Sequence, residues 1–262
     1  MKIVVCIKQV PGTNDAKIDP ETKRIIREGI KAITNPFDAY ALEEGVRIKE
    51  KLGGEVIAIS MGPPRADAVL REAISVGADR GILLSDRPFG GSDTWATSYA
   101  LAKAIEKIGG VDLVICGKQA IDGDTAQVGP GIAAQLGWPQ ATFVMALTEI
   151  GSDYFLAKRM HEDGYDIARV SLPAVITVVK DINQPRVPTL KGRLAAQKVD
   201  IPVWTAEFIG ADLHKIGLDG SPTRVVKTNP PPSRHTNTMK IEGTPAECAA
   251  KLVHELRIRS LV

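Results

Sequence analysis

The 262-residue chain has no run of about 18 apolar residues, so no part of it reads as a bilayer-spanning helix. Met1–Ile7 is apolar but too short for a secretory leader, and a Gly/Asn/Asp turn follows it. It reads instead as a buried first strand. Cysteine is scarce: Cys6, Cys116 and Cys248 show no CxxC spacing, and two of them lie in strand-like runs. That argues against a disulfide framework or an iron–sulfur site and for reduced thiols in the cytoplasm or an equivalent reducing space. A net charge of only +2 gives no indication of nucleic acid or a membrane surface. The usual catalytic signatures are missing too. There is no GxxxxGK[ST] phosphate loop, no HExxH and no GxGxxG, and Ala58-Ile59-Ser60-Met61-Gly62 lacks the first glycine of GxSxG. His161, His214, His235 and His254 stand apart from one another and read as surface residues, not ligands or bases. An α/β domain without an acid–base pair is expected to hold a cofactor, not to transform a substrate alone.

What is present is a rhythm of short apolar runs and helical patterns. Lys2–Ile7, Glu55–Ser60, Gly81–Ser85 and Val111–Cys116 are apolar throughout, as strands covered by helices on both faces must be. Helices are expected over Phe37–Leu52 after Asn35-Pro36, over Pro64–Val76, and over Asp93–Ile108. A further helix to Leu136 is expected to start at Asp124 or Thr125 and to stop at Gly137 and Pro139. The order predicts a doubly wound, mostly parallel α/β sheet. Thr142–Thr148, Asp153–Arg159 and Tyr165–Val170 alternate like an antiparallel extension, and Pro173–Val179 reads as another buried strand. From Asp181 the chain turns proline-rich and irregular, with only Pro245–Arg257 helical, so residues 199–262 are expected to form an arm that wraps the domain or lies on a partner.

The strongest constellation is Gly117-Lys118-Gln119-Ala120-Ile121-Asp122-Gly123-Asp124-Thr125-Ala126-Gln127-Val128-Gly129, leaving a buried strand and opening a helix. Open α/β sheets bind ligands at that place. Its glycines allow close approach of a ligand, and Thr125 with the free N–H groups of the first helical turn suits a phosphate. Gln127 adds an uncharged donor, whereas Asp122 and Asp124 suit ribose or backbone hydrogen bonds. The alternative is a long turn that merely caps the helix. Two other strand ends face the same crevice. Cys6 and Met61 can pack beneath an adenine ring or simply fill the core, and Lys8 can approach a phosphate or stay solvated.

Several segments in order resemble the β subunit of electron-transfer flavoproteins: Val5–Pro11, Asn35-Pro36-Phe37-Asp38, Ser60-Met61-Gly62-Pro63, Gly77-Ala78-Asp79, Gly117–Gly129, Leu172–Val175 and Arg186–Lys198. The resemblance covers nearly the whole chain. It implies a Rossmann-like fold of the adenine-nucleotide α-hydrolase kind, spanning residues 1–182, a partner-recognition loop at 183–198, and an arm at 199–262 wrapping an FAD-carrying α subunit. It also implies a nucleotide held by Cys6, Lys8, Asn35, Asp38, Met61, Gly62 and the 117–129 stretch. In one branch of the family that nucleotide is a structural AMP. In the other it is a second FAD, which takes a hydride from NADH and bifurcates electrons. Asp122-Gly123-Asp124-Thr125-Ala126-Gln127-Val128 looks like the bifurcating branch, as does Phe89-Gly90-Gly91-Ser92-Asp93-Thr94 with Thr97 behind it. Gly90, Gly91, Ser92, Thr94 and Thr97 would then face the flavin ring, where an ordinary capped loop is the plainer reading. The resemblance places the recognition leucine at Leu190, with Lys191 and Arg193 as a basic rim for an acyl-CoA dehydrogenase-like partner. Ferredoxin or flavodoxin is the implied low-potential acceptor. On this reading the chain is a redox subunit and not a self-sufficient enzyme. A stand-alone adenine-nucleotide module of the stress-protein kind shares the layout but has no use for the arm or the Leu190 loop.

Overall fold

Strands that are apolar on both faces can be buried only between two layers of helices, and the chain supplies those layers in alternation with them. The computed structural model describes residues 1–12, 32–226 and 238–262. In chain order its elements are β1 (Lys2–Cys6), β2 (Gln9–Pro11), β3 (Ala32–Thr34), α1 (Pro36–Leu52), β4 (Glu55–Met61), α2 (Asp67–Val76), β5 (Arg80–Leu84) and α3 (Thr94–Ile108). Then follow β6 (Leu113–Gly117), α4 (Val128–Leu136), β7 (Gln140–Ile150), β8 (Tyr154–His161), β9 (Gly164–Ser171) and β10 (Ala174–Val178). The last elements are α5 (Leu190–Lys198), β11 (Val203–Trp204) and α6 (Pro245–Ile258).

The main sheet has the order β11-β5-β4-β1-β6-β10-β7-β8-β9. Neighbours from β11 to β7 run parallel, and β7-β8-β9 form the antiparallel extension. Successive residues of β1 feed opposite faces. Ile3 and Val5 join Ala41 and Leu42 of α1 and Leu70 of α2, while Val4 joins Ala100 and Leu101 of α3 and Ile132 of α4. After β1 the chain winds outward through β4 and β5. It then crosses back by α3 to place β6 on the other side of β1. The direction of winding therefore reverses between β1 and β6, which is where a doubly wound sheet opens its ligand crevice.

Two expectations change and a third narrows. Helix α4 begins at Val128 and not at Asp124 or Thr125, and Asp124 and Ala126 instead hold left-handed φ values of 52° and 54°. Pro130 accounts for the shift. A helix starting at 124 would put its ring against the carbonyl of Ala126 and lose a hydrogen bond, whereas a start at 128 leaves Pro130 in the first turn. Next, the stretch after Asp181 is not irregular throughout. Thr189 accepts the Gly192 N–H at 3.0 Å and caps α5, whose C-terminal carbonyls at Ala196, Gln197 and Val199 take the Arg71 guanidinium. Finally, of the two courses expected for residues 199–262, the domain or a partner, residues 199–226 take the domain and add to its sheet and core. β11 extends the sheet beside β5, and Ala206, Ile209 and Ile216 are buried in the core on the α3 side. The structure divides into Met1–Val226 and Lys227–Val262. In the second unit Thr244 and Glu247 form a capping box at the start of α6, and no residue of α6 is buried. No helix among the described residues is long and apolar enough to cross a membrane.

Candidate nucleotide-binding site

The loops after β1 and β6 meet over the reversal point, tied by a small polar knot at the start of α1. Asn35, 1% exposed, donates its amide to Asp38 Oδ1 and to the Gln119 carbonyl, each at 2.9 Å, and its Oδ1 accepts the Ile121 N–H at 3.1 Å. Asp38 accepts the Lys8 N–H at 2.7 Å and a further N–H from Gly117. Burial raises the Asp38 carboxyl from 3.8 to about 7, although Asn35, the N–H groups of Lys8 and Gly117 and the Lys8 charge all pull it down. Asn35 and Asp38 both line the crevice, but their polar atoms are bonded to protein, so what they do there is hold the loops in place.

The crevice holds two cavities. The first, about 350 Å³, lies over the reversal point and is lined by Cys6, Lys8, Asn35, Asp38, Met61, Thr94 and Thr97, and by Gly117–Gln119, Gly123 and Thr125–Gly129. The second, about 850 Å³, is lined by Lys8, Gln9, Met61, Gly62, Arg65, Arg87, Gly90–Ser92 and Asp122. Lys8, Met61 and Ser92 border both. Asp124 borders neither, since its carboxylate is bonded to the Gln119 amide. Leu190, Lys191 and Arg193 are elsewhere, on α5, with Leu190 75% exposed.

Each expected ligand group now has a position. The first turn of α4 has no side-chain cap, so its N–H end remains open to an anion; that end begins at Val128, and Thr125 sits in the exposed turn before it. Lys8 Nζ is paired with Asp122 at 2.7 Å across the mouth, so a phosphate there would share Lys8 with a carboxylate. Thr94 Oγ1 donates to Gln127 Oε1 at 3.0 Å, joining the starts of α3 and α4 on either side of the first cavity. Cys6 and Cys116 are register partners on neighbouring strands, both buried and free. Their mutual hydrogen bond, then burial, raise the Cys116 thiol well above its ordinary value, which suits unreactive packing beneath a ligand.

Gly117 and Gly129 are also required by packing, whereas Gly123 has open space where a side chain would start. A Cβ on Gly117 would lie 2.4 Å from Asp38 Oδ1, and one on Gly129 would lie 2.4 Å from Thr177 Cγ2. Their neighbours in space come from α1 and β10, which sequence spacing does not reveal. The knot's internal bonding was likewise hidden, although Asn-Pro before a helix marked its place.

Fold and site together define a doubly wound α/β protein with a ligand crevice at its reversal point and a second cavity beside it. Residues 22–209 match the electron transfer flavoprotein domain. The chain is 49% identical, over the full length of both, to the electron transfer flavoprotein subunit beta of Thermoanaerobacterium thermosaccharolyticum. It is 46% identical, again over both full lengths, to the caffeyl-CoA reductase-Etf complex subunit CarD of Acetobacterium woodii. A third relative is the protein FixA of Bradyrhizobium diazoefficiens, 43% identical over 93% of this chain and 87% of the relative. The chain belongs to the electron transfer flavoprotein family and is one of its β subunits.

Because folded Asp38 binds its proton more tightly than the unfolded chain does, its stabilising contribution is full below pH 3.8 and is lost as pH rises through about 7. Between about pH 5 and about pH 8, wild-type stability in urea should therefore fall by roughly 2–3 kcal/mol relative to Asp38→Asn. Asp38→Asn should be the less stable protein at low pH, since its amide faces N–H donors. Parallel pH profiles for the two proteins would contradict this.

Proposed function

We propose that this β subunit holds FAD, not AMP, and that it works with an FAD-carrying α subunit as a bifurcating electron carrier. The observation that carries this reading is the adjacency of the two cavities, which share Lys8, Met61 and Ser92 in their lining. AMP needs only the cavity over the reversal point, whereas a dinucleotide needs the second as well. The residues fit such a ligand. Cys6 and Met61 offer soft apolar contact for a purine, and the open N-terminus of α4 suits a pyrophosphate. Gly90, Gly91 and Ser92 present backbone and small side chains to a flat ring system.

When bound, FAD would accept a hydride from NADH and release electrons singly, one to ferredoxin or flavodoxin and one through the α-subunit FAD to an acyl-CoA dehydrogenase-like partner. The chain's own part is to position and to bias. Lys8, Arg65 and Arg87 border the larger cavity and attract the phosphates of an incoming nicotinamide dinucleotide, while Asp122 neutralises Lys8 until such a ligand competes for it.

Partner recognition falls on the segment from Asn183 to Lys198. Arg186 bonds Glu43 at 2.8 Å and Glu50 at 2.6 Å, and Asn183 bonds the Tyr40 carbonyl and Glu44, so the segment is fastened to α1. Val187, Leu190 and Leu194 stay exposed upon it, beside Lys191 and Arg193. A preformed apolar knob with a basic rim suits docking to an acidic-rimmed pocket. The A. woodii relative's name, which mentions a CoA-ester reductase, agrees with a dehydrogenase-like partner. The exposed apolar side chains of α6, Leu252, Val253 and Ile258, suit an arm lying on the α subunit. The three free cysteines suit a cytoplasmic location.

Anaerobic NADH added to the purified complex should bleach the oxidised-flavin absorbance without any dehydrogenase present. A complex whose flavin stays oxidised with NADH, and is reduced only through a reduced acyl-CoA dehydrogenase, would be the AMP-holding carrier. Leu190→Ala should weaken coupling to the dehydrogenase by on the order of tenfold or more in apparent KM while NADH reduction continues unchanged. Equal loss of both activities would place Leu190 in the fold instead of the docking surface.

A further inference from the structure

The Gly90–Thr94 turn, which borders both cavities, is gripped from outside by residues 216–223, which lie more than a hundred positions later in the chain. Ser92 Oγ donates to the Phe89 carbonyl at 2.9 Å and accepts the Gly217 N–H at 2.9 Å. The Asp93 N–H donates to Ser221 Oγ at 2.8 Å, and that hydroxyl donates on to the Gly217 carbonyl at 2.5 Å. Ser221 is 8% exposed, so its hydroxyl works inside the protein. Asp93 divides its carboxylate between two tasks. Oδ1 accepts the Trp95 and Ala96 N–H groups and caps α3, while Oδ2 accepts the Thr223 N–H at 3.0 Å and the Thr223 hydroxyl at 2.8 Å. Although burial pushes the other way, the N–H of Ala96, the two Thr223 bonds and the N–H of Trp95 hold the Asp93 carboxyl below its ordinary value. Packing tightens the grip: a Cβ on Gly91 would meet Leu218 at 2.6 Å, and one on Gly217 would meet the Pro88 carbonyl at 2.2 Å.

These contacts have a consequence for Ser92. Its hydroxyl is already spent on Phe89 and Gly217, so what this turn presents to a ligand is its backbone and its shape. A backbone surface is only as well defined as the contacts that hold it.

We propose that Ser221 and Thr223 are positioning residues, which clamp the Gly90–Thr94 turn through Asp93 and so set the affinity of the crevice for the part of a dinucleotide beyond its adenosine. The claim rests on the reading that FAD occupies both cavities. The adenosine end would rest on the start of α4 and on loops that the knot at Asn35 and Asp38 keeps in place; neither bonds residues 216–223, and the turn itself reaches α4 through the bond from Thr94 to Gln127. The two ends of the ligand should therefore respond separately.

The test uses the heterodimer stripped of nucleotide at this subunit, in wild type and in the variants Ser221→Ala, Thr223→Val and Thr223→Ser. FAD and ADP affinities are measured by titration, and amide hydrogen exchange is followed at Gly91–Trp95. Ser221→Ala and Thr223→Val should each weaken FAD by on the order of tenfold, leave ADP within about twofold, and speed exchange in the turn. Thr223→Ser, which keeps the hydroxyl, should restore wild-type FAD affinity. Equal loss of FAD and ADP would mean a general structural role and overturn the proposal, as would no change in either affinity or exchange. Should wild type bind ADP but not FAD, the FAD reading fails by itself. The clamp then stands or falls on the exchange rates alone: faster exchange in Ser221→Ala and Thr223→Val upholds it, and unchanged exchange removes it.

Discussion

Bringing the ends of β1 and β6 together over the sheet buries the N–H groups of Lys8 and Gly117 beside the amide of Asn35, and all three donate to the carboxylate of Asp38. Unmade, each would cost the desolvation of a buried polar group. Met, the arrangement fixes where two separate loops stand relative to each other. Gly117 has no room for a side chain because Asp38 and the Phe37 backbone fill that space. The remaining features of the crevice hang from this point: the Lys118–Gln127 turn is held by Asn35, and the start of α4 follows from that turn.

The two walls of the site are built differently. The floor of the first cavity is strand and helix end, with Cys6 and Cys116 in register beneath it. Its far wall is the Gly90–Thr94 turn, which has no regular structure of its own and depends on residues 216–223 for its shape. On the FAD reading proposed above, the adenosine end would serve as an anchor, whereas a redox-active ring would have to be placed to within a small distance of its donors and acceptors. Arg186 fastens the chain before α5 to α1, the helix whose start carries the knot, whereas α5 with the exposed Leu190 is held by Arg71 of α2.

The parallel sheet was legible because strands buried on both faces leave continuous apolar runs such as Ile3–Ile7 and Leu113–Cys116, and the reversal between β1 and β6 follows from their order. Family membership was legible from motifs spread along the chain. What escaped depended on contacts between distant residues. The start of α4 moved because one proline, Pro130, outweighs the capping preference of Asp124 or Thr125. Strand β11 is two residues long and carries no period of its own; it exists because β5 offers a free edge. Helix α5 buries only Ala196, so its apolar pattern is weak, and Thr189 and Arg71 supply the ends that the pattern does not announce. The glycines at 117 and 129 line the first cavity as expected, but their close neighbours Asp38 and Thr177, which leave no room for a side chain, were not visible from spacing.

The central claim is that this subunit's crevice holds a full flavin dinucleotide. The most direct measurement is to co-express the chain with its α partner, purify the complex and identify the nucleotides released on denaturation. The account predicts two FAD per heterodimer and no AMP; one FAD with one AMP would contradict it.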